Sequence, residues 1–126
     1  MGTGLGKSLI ALYLVQHYGL KTVIVSPSKA ISKQLYKLFI THFGKKLVGF
    51  LGDGKKEFDK QIIVSIDDSI VNVKSDSEGF KSLQECQLLI WDESHTTGAK
   101  TLSSACFGVL NSIPYRYFLS RNTNTW

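Results

Sequence analysis

A chain of 126 residues, 43% apolar and 20% charged, is long enough for one domain with a buried core and has the balance of a globular protein. A formal net charge of +5 suits a polyanionic partner without requiring one, since many ordinary domains carry as much. The apolar run Leu9–Val15 is far short of the roughly 20 residues that span a bilayer, and no secretory leader or membrane partner is expected. Met1-Gly2 is no myristoylation signal, because Gly6 stands where that motif needs Ser or Thr. Cys86 and Cys106 are too far apart for a Cys-x-x-Cys metal knuckle and are read as reduced core cysteines.

Helix and strand alternate along the chain. Leu9–His17 is apolar-rich and helical, ended by Gly19. The β-branched run Thr22-Val23-Ile24-Val25, within Lys21–Ser26 and bounded by Pro27, reads as a buried parallel strand. In Ser28–Phe43, Ile31, Leu35, Leu38, Phe39 and Phe43 recur at helical spacing. Lys29, Lys33 and Lys37 recur on another face and are read as a solvated row. Leu47–Leu51 reads as a second strand, stopped by Gly52-Asp53-Gly54, and Gln61–Ile66 as a third. Asp67 or Asp68 is placed to cap a short helix through Val71. Lys74–Ser82 is polar and reads as a surface loop. Gln87–Trp91 is a fourth strand, with Trp91 as core; Lys100–Leu110 is a helix and Tyr115–Leu119 a fifth strand. Strands separated by helices imply a parallel sheet covered on both faces.

Met1-Gly2-Thr3-Gly4-Leu5-Gly6-Lys7-Ser8 matches Gly-Lys-[Ser/Thr] after a glycine-rich run, with Met1 where the full pattern has its first glycine. Glycines let a backbone curl around phosphate oxygens, and a helix beginning near Lys7 adds its positive end. Gly2, Thr3, Gly4, Leu5, Gly6, Lys7 and Ser8 are therefore expected to bind a triphosphate, with Lys7 on its β- and γ-phosphates and the Ser8 hydroxyl on Mg²⁺. The plainer reading is a flexible glycine-rich terminus before a helix.

Leu88-Leu89-Ile90-Trp91-Asp92-Glu93-Ser94-His95 is an apolar strand that delivers two carboxylates at its carboxyl end, where parallel sheets bind ligands. Asp92 suits Mg²⁺, and Glu93 is placed to polarise the water that attacks the γ-phosphate. Either acid could instead merely open a loop; downstream of a Gly-Lys-Ser run, the pair points to ATP chemistry.

Asp92-Glu93-Ser94-His95 resembles the DEAD/DEAH-type box of superfamily 2 helicases, and the order of the other segments is similar to the first RecA-like domain of that group. The tract Trp91–Leu119 further resembles phage helicases of the UvsW sort and motor subunits of restriction enzymes. The resemblance covers nearly the whole chain. It implies a three-layer parallel α/β sheet in which residues 1–126 form a single partial RecA-like domain lacking the strand before the phosphate loop. It implies ATP and Mg²⁺ as cofactors and nucleic acid as partner, DNA in preference to RNA. It also implies a second RecA-like domain supplied from outside this chain, and a cytoplasmic location, that of the host if the chain is phage-encoded. Val25-Ser26-Pro27-Ser28-Lys29 corresponds to motif Ia, so that Pro27, Ser28 and Lys29 touch a strand; Ser65 and Asp67, within Val64–Ser69, hold the same backbone. His95 would couple ATP state to that contact.

The family pattern breaks after the last strand. Where a Ser-Ala-Thr-like coupling motif is expected, Ser120 matches and Arg121 does not, and the polar tail Asn122–Trp126 is read as truncation or a broken frame. Neither Arg116 nor Arg121 matches the arginine finger of a second motor domain, so little ATP turnover and no unwinding are expected of this chain alone. Two other readings stand beside this one: a P-loop ATPase acting on substrates other than nucleic acid, and an inactive nucleic-acid-binding remnant.

Overall fold

The computed structural model describes residues 3–94 and 97–119, with side chains described from Ser8 onward. The elements in chain order are α1 (Thr3–Tyr18), β1 (Thr22–Ser26), α2 (Lys29–Phe43), β2 (Val48–Gly52), β3 (Lys55–Lys56), β4 (Ile62–Ile66), α3 (Asp67–Val71), α4 (Glu78–Gln84), β5 (Leu88–Trp91), α5 (Ala99–Phe107) and β6 (Tyr115–Phe118). The strands form one sheet in the order β3-β2-β4-β1-β5-β6. Every neighbouring pair is parallel except β2 and β3, which form an antiparallel hairpin.

Alternation along each strand splits the core into two layers, as the period-2 geometry of a strand requires. Ile24, Phe50, Val64, Leu88 and Ile90 face Ala11, Leu12, Leu14 and Val15 of α1 and Leu35 and Phe39 of α2. Val23, Val25, Leu51, Ile63, Leu89 and Trp91 face Ile70 of α3, Leu83 of α4, and Ala105 and Cys106 of α5. The fold is thus the three-layer α/β sandwich the alternation of elements predicts. Both cysteines are buried and free, as expected. Among the described residues no helix is long and apolar enough to cross a membrane.

Five local expectations are corrected. First, α1 begins at Thr3 rather than near Lys7, so Gly4, Leu5 and Gly6 are helical backbone; continuing the helix gives their carbonyls partners within it. Second, the Gly52-Asp53-Gly54 stop reverses the chain into β3, with φ values of 135°, 51° and 82° that glycine and aspartate tolerate. Third, neither Asp67 nor Asp68 caps α3: Ile66 is the N-cap and gives no side-chain bond, while Asp67 Oδ1 accepts the Asp68 N–H at 2.7 Å. Fourth, the end of the supposed loop Lys74–Ser82 is helical, because Ser77 caps α4 by accepting the Phe80 N–H at 3.2 Å. The last predicted helix also stops early, at Phe107 before Gly108.

Gly49 in β2 marks a close approach. A Cβ there would lie 2.6 Å from the Glu57 carbonyl oxygen and 2.7 Å from the Lys60 side chain. Gly49→Ala is therefore expected to cost roughly 1–3 kcal/mol, because a backbone atom cannot swing aside as a flexible side chain can. Urea denaturation checks this, and an unchanged midpoint would mean the β2 edge is more pliant than its packing implies.

Candidate functional site

Register places the carboxyl ends of the strands along one edge. Ser26 pairs with Ile66, Val25 with Trp91, and Trp91 with Phe118. Pro27, Asp67, Asp92 and Leu119 therefore leave the sheet side by side. Parallel sheets gather ligand chemistry at this edge because loops there fan away from a rigid base.

The acidic pair is stitched into the edge by backbone bonds. The Asp92 N–H donates to the Val25 carbonyl at 2.8 Å, and the Leu119 N–H to the Trp91 carbonyl at 2.9 Å. The Ser94 N–H reaches the Leu119 carbonyl at 3.1 Å, so the turn after β5 is tied to both neighbouring strands. Asp92 is 7% exposed, and Glu93, half-buried beside it, has φ of 53°. A left-handed conformation in a residue other than glycine costs on the order of 1–3 kcal/mol and collects at functional turns. Here it re-aims the chain directly after β5.

A buried hydrogen-bonded chain backs this turn. Trp91, fully buried as expected of a core residue, donates its Nε1–H to Thr97 Oγ1 at 2.9 Å. Thr97 also bonds the Asp67 carboxylate. Burial pushes the Asp67 carboxyl above its ordinary pKa, and the bonds from the Asp68 N–H and Thr97 pull against that rise. The end of β4 is thereby linked to the segment after the acidic box. Thr97 carries no recognisable motif; its only signal in the sequence is its place just beyond the box.

Helix α1 brings the Gly-Lys-Ser run toward the same edge. Its last residue, Tyr18, bonds Tyr117 and packs at 5.0 Å between ring centroids on Tyr115, at the start of β6. Leu119, at the far end of β6, joins the cluster that holds Ala11 and Leu12. The helix therefore runs antiparallel to the strands. Its 16 residues extend about 24 Å, against about 17 Å for a five-residue strand, so its first turns reach past the strand ends. Thr3, Gly4, Leu5, Gly6 and Lys7 fall in those turns, and Ser8 follows, half-buried. Gly2, His95 and Ser120 lie outside the described residues, as does Arg121.

Pro27 and Ser28 are half-buried and Lys29 is exposed. Ser28 caps α2 by accepting the Ile31 N–H at 3.3 Å. Ser65 and Asp67, expected to hold a nucleic-acid backbone, are buried. Ser65 donates to the Ile66 carbonyl at 2.8 Å, and its own carbonyl accepts from Ser32 Oγ at 3.3 Å. Their side chains thus fasten β4 to its surroundings, and Asp68 is the exposed acid at that strand end. The lysine row on α2 is solvated but not idle. Lys29 Nζ lies 3.1 Å from Asp53 Oδ1 and Lys33 Nζ lies 2.8 Å from Asp53 Oδ2. Hydrogen bonds from Lys33 and Lys29 hold the Asp53 carboxyl down to a pKa of about 2. Two lysines one turn apart, with an aspartate held between glycines downstream, are the signal that the sequence reading passed over.

Among the described residues no cluster of three or more His, Cys, Asp or Glu is arranged to hold a metal. A Mg²⁺ site of the phosphate-bridging kind needs only one or two oxygen ligands from the protein and takes the rest from phosphates and water. The Asp92 carboxylate and the Ser8 hydroxyl are hard oxygen donors of that kind. Arg116 is committed elsewhere, its guanidinium donating to the carbonyls of Ile113, Leu110 and Asn111 at 2.9–3.2 Å.

A family model described as type III restriction enzyme, res subunit, matches residues 1–120. A crystal structure of the UvsW helicase from bacteriophage T4 is similar, with a TM-score of 0.78 at 22% identity, covering 97% of this chain and 45% of that one. A second structure of T4 UvsW gives a TM-score of 0.72 at 22% identity, covering 96% of this chain and 25% of that one. The chain thus spans less than half the length of either. At this identity the likeness speaks for the fold, a RecA-like helicase domain. No curated protein sequence matches the chain. With its α/β sheet, its acidic pair at a strand end and a family match over nearly its whole length, the chain belongs to the type III restriction enzyme res subunit family, of the superfamily 2 helicase type.

Proposed function

We propose that residues 1–126 form one RecA-like half of an ATP-driven motor that moves on nucleic acid, DNA in preference to RNA. The observation that carries this reading is the shared edge: the Gly-Lys-Ser end of α1, the Asp92-Glu93 turn and the Pro27-Ser28-Lys29 corner all lie where the parallel strands end. Lys7 binds the β- and γ-phosphates, and Gly2 to Gly6 offer backbone N–H groups. Asp92 and Ser8 hold Mg²⁺, which when bound neutralises charge building on the transferred phosphate. Glu93 orients the attacking water. Pro27, Ser28 and Lys29 meet the phosphodiester backbone without reading bases, so binding is salt-sensitive and indifferent to sequence. Ser65 and Asp67 support that surface from within, and His95 and Ser120 couple it to the nucleotide. The second motor domain belongs to the part of the motor beyond this chain, and the working compartment is the cytoplasm.

Thermal unfolding in Mg-ATP tests the phosphate site. At a hundredfold excess over Kd, binding adds about 2.7 kcal/mol and raises Tm by several degrees. Lys7→Ala is expected to erase most of that rise while leaving the Tm of the free protein unchanged. The helical backbone over Thr3–Gly6 favours a second reading, a remnant that binds nucleic acid without hydrolysis. Equal Mg-ATP shifts in both proteins, or none in either, would select it.

A further inference from the structure

Asp53 stands among cations. It sits at the tip of the β2–β3 hairpin in a left-handed conformation, φ 51°, between Gly52 and Gly54. The turn is fixed in place: a Cβ on Gly52 would lie 2.8 Å from Ile66 Cδ1 and 3.1 Å from Ser69 Oγ. From there the carboxylate bridges Lys29 and Lys33, at 3.1 and 2.8 Å. It also divides two neighbouring cavities. One, of about 340 Å³, includes Lys55, Lys56 and Lys74 with Ser69, Asn72 and Ser77 in its walls. The other, of about 200 Å³, lies between Lys33, Lys37 and Lys55 with Tyr36 and Phe50 beneath. All six lysines are exposed, and among the described residues Asp53 is the only acid lining either cavity.

We infer that the cleft between α2 and the β2–β3 hairpin is a phosphate-chain site that the protein closes on itself, with Asp53 as an internal counter-anion that yields Lys29 and Lys33 when a phosphodiester backbone arrives. The inference rests on the nucleic-acid reading above and extends its surface from Lys29 across the hairpin to Lys74. The exchange is facile because exposed ion pairs are weak and screened by salt. Its physical consequence is a tuned affinity: one carboxylate offsets one unit of the charge on the two lysines, so binding releases fewer salt ions than the lysine count suggests.

Titration of a labelled single-stranded oligothymidylate, and in parallel of inorganic polyphosphate, over a salt series tests this. Asp53→Asn keeps a residue that tolerates the left-handed turn and removes the charge. It is expected to tighten binding roughly three- to tenfold. It is also expected to steepen the slope of log K against log salt by up to about 0.7, from the one unit of lysine charge set free. In a chain carrying both Lys29→Gln and Lys33→Gln, the same change should bring no gain. An equal gain in that background would overturn the inference by reducing the effect to net charge. Oligothymidylate bound equally by wild type and Asp53→Asn would overturn it while leaving the nucleic-acid reading intact. Polyphosphate showing the gain while no variant binds oligothymidylate would uphold the counter-anion and remove nucleic acid as its partner. Binding of neither polymer by any variant would sink both.

Discussion

Replacing Trp91 with alanine is expected to lower the free energy of unfolding by about 3–5 kcal/mol. Trp91 ends β5 with 0% exposure, in the layer it shares with Ile70, Ala105 and Cys106. Truncation opens a cavity that the surrounding strands and helices fill only in part. It also orphans the Thr97 hydroxyl oxygen, which accepts the indole N–H at 2.9 Å, and so loosens the partner of buried Asp67. Domains of this size have total stabilities of about 5–15 kcal/mol, so the loss approaches the whole for a protein at the lower end. Trp91→Phe keeps most of the volume and is expected to cost about 1–3 kcal/mol, chiefly the unmade hydrogen bond. Urea unfolding followed by circular dichroism gives both values. A Trp91→Ala protein within about 1 kcal/mol of wild type would contradict the close packing described for this layer.

The second large effect concerns turnover. The isolated chain is expected to hydrolyse ATP at a negligible rate, with no stimulation by single-stranded nucleic acid. Its described arginine, Arg116, spends its guanidinium on three carbonyl oxygens, and no group on this chain is positioned as an arginine finger among the described residues. A chain that carries a second motor domain in frame is expected to be faster by on the order of a thousandfold, the usual worth of that arginine in transition-state charge stabilisation. In the longer chain, Glu93→Gln should remove most of the gain while leaving Mg-ATP binding in place. Phosphate-release assays on the short chain, the long chain and the variant decide the matter. Robust nucleic-acid-stimulated turnover by residues 1–126 alone would refute the division of labour proposed here.

The sheet was legible because its central strands β1, β4 and β5 are buried on both faces. Thr22–Val25, Ile62–Val64 and Leu88–Trp91 announce themselves as continuous apolar runs, and such runs have one stable home, the middle of an α/β sandwich. The acidic box was legible for the same reason: an apolar strand followed at once by two carboxylates can end only at a sheet edge. What stayed hidden depends on contacts distant in sequence. The polar stretch Lys74–Ser82, which runs into α4, looks like loop partly because it contains Gly79. Yet that glycine is there for space, since a Cβ would lie 2.4 Å from the Phe58 ring. The hairpin after β2 reads as a stop because β3 is only two residues of lysine, with no apolar face to betray a strand. Asp67 reads as a nucleic-acid contact from its place at a strand end; its side chain is buried, and one of the groups that bear on it is Thr97, thirty positions away. The ion pairs of Asp53 likewise join segments that no short motif connects.

The two thiols have a consequence of their own. Cys86 and Cys106 both lie in the layer formed with α3, α4 and α5, and burial holds the Cys86 proton up to a pKa of about 12. Alkylating reagents attack the thiolate, so both sulfurs are shielded for as long as that side of the molecule stays shut. The pace at which they are modified is therefore a clock for the opening of that layer, read from residues the protein already carries.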